Sequence, residues 1–171
     1  MKKINLQSGY SIVEIIIYIA VFAVLTTVVM NSFIVLTSFY NQNRTHHDLL
    51  ENGNSVMERL SREIRTANNI RTGTSTLGSN PGVLDLDSVD SSNNTQTVKF
   101  STTNGALNLA VNGTSVGNLL GPNIQVTSLV FRKITTTNST AVKIEMTLKD
   151  TKDATNLVEN FYDTIILRGG Y

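Results

Sequence analysis

Apolar residues are not spread evenly along this chain. From Ile15 to Leu25 it reads IIIYIAVFAVL without a charge, and after Thr26-Thr27 it continues through Val28-Val29-Met30 and Phe33-Ile34-Val35-Leu36. A helix rises ~1.5 Å per residue, so roughly 20 residues cross a ~30 Å hydrocarbon layer. The stretch from Ile12 to Leu36 is long enough, and the pattern predicts a membrane-spanning helix.

Farther on the pattern becomes amphipathic. Leu49/Leu50, Gly53, Val56/Met57, Leu60, Ile64 and Ala67 recur at steps of three and four, as expected for a helix with one face against a core. Glu58 with Arg62 and Arg59 with Glu63 form i,i+4 pairs, read here as a solvated surface. There is no proline between residues 1 and 80. One helix is therefore expected from about Ser11 to Asn69, with Asn31 and Gly53 as places where it would kink or soften.

After Ile70 the period changes. Residues 72–82 are rich in Gly, Thr, Ser and Asn, contain Pro81, and read as a loop. Strands are predicted at 83–89, 97–102, 106–111, 124–134, 141–149 and 161–168. In the fifth, Val142, Ile144, Met146 and Leu148 alternate with Lys143, Glu145, Thr147 and Lys149, which describes a strand with one wet face. Asn104-Gly105 and Asn112-Gly113 are turn dipeptides suited to positive φ. An antiparallel sheet with one apolar face needs a cover, and the helical stripe supplies it. The expected fold class is α+β: a long N-terminal helix, its first half transmembrane, packed against an antiparallel sheet.

Charge and composition narrow the function. The 171 residues carry 14 Lys+Arg against 13 Asp+Glu, a net charge of +1, so no strong field draws the chain to nucleic acid and none is predicted as a partner. There are no cysteines, so neither a disulfide nor a thiolate metal site can form. Between Lys3 and Arg44 the sole charge is Glu14. Lys2 and Lys3 on the short side place the N-terminus in the cytoplasm. A carboxylate at the centre of a membrane helix costs ~2.5–3.5 kcal/mol, less near its end, and calls for a partner.

Those residues together, Lys2, Lys3, then Gly9-Tyr10-Ser11-Ile12-Val13-Glu14 and the apolar run, resemble the class III signal of type IV prepilins and type II secretion pseudopilins. In that family a short basic leader ends in Gly and a Glu stands fifth in the mature chain. The resemblance implies a leader of residues 1–9, cleavage between Gly9 and Tyr10 by a prepilin peptidase, and N-methylation of Tyr10. It also implies that Glu14 meets the Tyr10 amine of a neighbouring subunit during assembly. The mature chain would comprise a transmembrane and assembly helix at 10–40, an amphipathic continuation at 41–70, and a β-rich periplasmic or extracellular region at 71–171. The implied fold is the pilin fold.

Its implied partners are the peptidase, other pilin or pseudopilin subunits, inner-membrane lipid and, indirectly, an assembly platform protein and its ATPase. Tyr10 stands where the family usually has Phe, and Asn31 where major pilins often have Pro. The cysteines of the C-terminal disulfide common in pilins are missing. The last two departures favour a minor subunit near the filament tip, and MERLSREIRTANNI at 57–70 is similar to minor subunits of the J or W type.

Other chemistry is weakly nominated. Asp85, Asp87 and Asp90 offer oxygens of the type that suits calcium, which some pseudopilins bind; alternation reads Asp85 and Asp87 instead as the wet side of a strand. His46 and His47 are adjacent, ~100° apart on a helix, unlike an i,i+4 ligand pair. No catalytic constellation stands out and no cofactor is expected. The alternative to a filament subunit is a membrane-anchored adhesin or a module that binds DNA or a surface.

Overall fold

The structure is a computed structural model that describes residues 11–152 and 156–168. The chain divides into two compact units, Met1–Asn41 and Gln42–Tyr171. Helix α1, Ile12–Thr66, runs unbroken through Asn31 and Gly53.

In the first unit, α1 presents its apolar side chains all round. Ile16, Phe22, Val29 and Leu36 are each more than half exposed. The helix is long and apolar enough to cross a membrane. Its small polar residues are compatible with hydrocarbon for a local reason. Thr26, Thr27, Ser32 and Thr37 donate to the carbonyls of Phe22, Ala23, Val28 and Phe33, one turn back, at 2.8–2.9 Å.

In the second unit, the predicted stripe is the buried one: Leu49, Gly53, Val56, Leu60 and Ile64 all face the core. Both i,i+4 pairs form, at 2.8–2.9 Å. Only Glu58–Arg62 is a solvated pair, because the Glu63 side chain is 13% exposed. The helix ends at Thr66, short of the predicted Asn69, and Asn69–Ile70 forms β1 at the edge of a sheet.

The helix packs against antiparallel strands, in two sheets where one was expected. The first has the order β1 to β5, with β2 Val83–Val89, β3 Thr95–Thr103, β4 Ala106–Val111 and β5 Thr114–Asn118. The second comprises β6 Ile124–Thr135, β7 Thr140–Asp150 and β8 Val158–Ile166. They separate because a loop takes the outer edge of β6. Gly78 N–H and Gly82 N–H donate to the Phe131 and Leu129 carbonyls at 2.7 and 2.8 Å, and Leu129 N–H donates to Asn80 Oδ1 at 2.9 Å. A register shift between Val126 and Ser128 then turns Val126 N–H toward Gly105 O, at 2.8 Å.

The Asn-Gly turns have the expected hairpin geometry, with φ of 53° and 78° at Asn104-Gly105 and 51° and 79° at Asn112-Gly113. The second opens β5, which the sequence does not announce: it carries one large apolar residue, Val116, and that residue is 63% exposed.

Gly53 faces β8 directly. The Phe161 ring of β8 points at it, and a β-carbon there would overlap the Cζ end of the ring. Two polar ties flank this contact. His46 Nδ1 pairs with Glu159 Oε1 at 2.8 Å, and Ser61 Oγ donates to Asp163 Oδ2 at 2.9 Å.

Candidate functional site

Gly9 and Tyr10 lie outside the described residues. Glu14 lies inside them, in the first turn of α1, where Glu14 N–H and Ile15 N–H donate to Ser11 O at 3.0 and 3.2 Å. The positive end of the helix dipole favours an anion there. Its carboxylate has a second local stabiliser that sequence reasoning missed: Tyr18 Oη donates to Glu14 Oε1 at 2.7 Å. The signal was available, since residues four apart share a helix face and side chains lean toward the N-terminus.

The three aspartates do not gather. Asp85 and Asp87 share Arg71, whose Nη1 is 3.5 Å from Asp85 Oδ2 and whose Nε is 3.6 Å from Asp87 Oδ1. Asp85 is not on a wet face. It is 5% exposed because residues 71–76 fold back over it. Thr74 Oγ1 donates to its Oδ2 at 2.6 Å, and its own N–H donates to Ser75 Oγ at 2.9 Å. Alternation separates Leu84 and Leu86 from Asp85 correctly but does not say what covers the second side.

Asp90 organises a separate turn. Its Oδ1 accepts the N–H groups of Ser92 and Asn94 at 2.8 Å, and its Oδ2 accepts the Asn94 amide at 3.0 Å. The Asn94 backbone N–H, then its side-chain amide, and more weakly the Ser92 N–H hold this carboxyl below its usual range, against an opposing effect of burial. With the folded value depressed, its contribution to the turn is present above the unfolded pKa and is lost as pH falls through the folded one. Among the described residues no group of three or more His, Asp, Glu or Cys is assembled for a metal.

These contacts make Arg71 and Asp85 a structural pair with an asymmetric response to mutation. Arg71→Ala leaves a nearly buried carboxylate with a single hydroxyl donor and should destabilise the fold by about 2 kcal/mol. That is below the 3–5 kcal/mol range for a fully buried pair, because Arg71 is 42% exposed. In urea titrations, Arg71→Ala combined with Asp85→Asn should lose less than Arg71→Ala alone. An equal or larger loss would show that Arg71 acts through packing.

Comparison with protein-family models, with curated proteins and with solved structures finds no match to the chain.

Proposed function

We propose that this chain is a membrane-anchored structural protein with no catalytic activity of its own. More particularly, it is a minor subunit of a type IV pilus or type II secretion pseudopilus, with a pilin fold. A prepilin peptidase cleaves it between Gly9 and Tyr10 and methylates Tyr10. It waits in the inner membrane with its N-terminal side cytoplasmic, and is drawn into a filament through its helix.

The observation that carries this reading is the place of Glu14. It stands five residues after Gly9, in the first turn of a helix whose next two dozen residues are exposed, uncharged and mostly apolar. A carboxylate in lipid is retained where it has a charge to meet. The amine freed on Tyr10 of an adjoining subunit is such a charge, and at low dielectric the pair sets axial register. Asp85, Asp87 and Asp90 serve loop structure in this reading, and calcium is not part of it.

The test is the mass of the protein's N-terminal peptide isolated from cells. The expected peptide starts at Tyr10 and carries one added methyl group. A peptide that still starts at Met1 would overturn the reading.

A further inference from the structure

A carboxylate that must wait in lipid for a partner on another chain has two problems. Its oxygens lack donors, and its side chain, with three rotatable bonds, must be fixed before a productive encounter. The hydrogen bond from Tyr18 Oη to Glu14 Oε1 at 2.7 Å addresses both. We infer that Tyr18 is a positioning residue for Glu14: its hydroxyl fixes the carboxylate through Oε1 and leaves Oε2 open to a cation from a neighbouring chain. This rests on the subunit reading above.

Helix geometry makes the arrangement direct. Side chains lean toward the N-terminus, so a residue at i+4 covers the one at i, and a phenol is long enough to place its oxygen on the carboxylate. An O–H donor to a carboxylate is a charge-assisted bond, and 2.7 Å lies at the upper end of the ~2.5–2.7 Å range of such bonds.

A neutral donor is the right kind. Lysine or arginine at position 18 would neutralise Glu14 within its own chain and remove the reason to pair with another. Tyrosine keeps the charge while satisfying part of it. A carboxylate has about four lone-pair sites on two oxygens, so the tyrosine need not leave when the cation arrives. Holding the acceptor in place beforehand removes part of the ordering cost of association.

Two measurements decide the matter. The full chain, with tyrosines isotope-labelled at the phenol carbon, is placed in phospholipid vesicles and examined by solid-state NMR, with the Tyr18 signal assigned from Tyr18→Phe. Glu14→Leu should move that signal toward the position of a non-donating phenol and leave the other tyrosine signals in place. An unmoved Tyr18 signal overturns the inference, whether or not the chain assembles.

In cells, Tyr18→Phe and Tyr18→Leu should both lower incorporation into filaments at least about tenfold, as loss of a hydrogen bond to a charged group implies. Parental incorporation of Tyr18→Phe with loss only in Tyr18→Leu would assign the ring a packing role and overturn the inference. Failure of the parent itself to be processed or incorporated defeats the subunit reading, and the vesicle spectra then judge Tyr18 independently.

Discussion

Gly53→Ala should destabilise the globular unit by about 2–4 kcal/mol, although the same change in an exposed helix interior stabilises by about 1 kcal/mol. The sign is decided by Phe161, whose ring occupies the space the new methyl group would need. Relief would require β8 to shift or the ring to leave a site where it is 9% exposed. The first is opposed by ties on both sides, His46 to Glu159 and Ser61 to Asp163. The second transfers an aromatic side chain toward water and opens a cavity, a loss of several kcal/mol.

Urea unfolding of the full chain in detergent provides the measurement. Gly53→Ala should lower the midpoint sharply. Gly53→Ala with Phe161→Leu should lose less than the sum of the two single losses, because the residues are in contact and the smaller side chain makes room for the methyl group. A midpoint equal to or above that of the parent would mean that β8 yields freely, and that this contact does not fix the distance between helix and sheet.

That glycine shows where sequence reading reaches its limit. The stripe from Leu49 to Ile64 is legible because burial on one helix face recurs at fixed steps, and Gly53 falls on the stripe. Its reason for being glycine is a ring more than a hundred residues away, and periodicity carries no information about that. The apolar positions of β7 are all buried, since alternation is a local property, and the two Asn-Gly turns follow from the same kind of local preference.

What failed was non-local. The sheet divides because Gly78, Asn80 and Gly82 bond to the edge of β6. Asp85 is buried because Arg71 and Thr74 return over it. At the proposed assembly site, Glu14 is conspicuous as an isolated charge. Tyr18 is hidden because tyrosine in an apolar run reads as one more hydrophobic residue until its hydroxyl is given a direction.

Glu14→Leu should have opposite effects on the two states of the chain. In the bilayer it replaces an ionisable group with a residue whose insertion is favourable by ~0.3–0.6 kcal/mol. The full penalty of ~2.5–3.5 kcal/mol for a central acid is reduced in the first turn by the helix dipole and by Tyr18. Membrane retention after alkaline extraction should therefore match or exceed that of the parent. In the proposed filament the variant removes the anion that would meet a neighbour's amine. Removing one member of a desolvated charge pair costs 2–5 kcal/mol or more, much of it from the charge left alone. Even the lower figure is more than tenfold in association, so the amount in sheared filaments should fall at least about tenfold. A leucine variant that is retained in the membrane and also enters filaments at the parental level would remove the charge-pairing account. A variant that leaves the membrane would contradict the insertion energetics on which it rests.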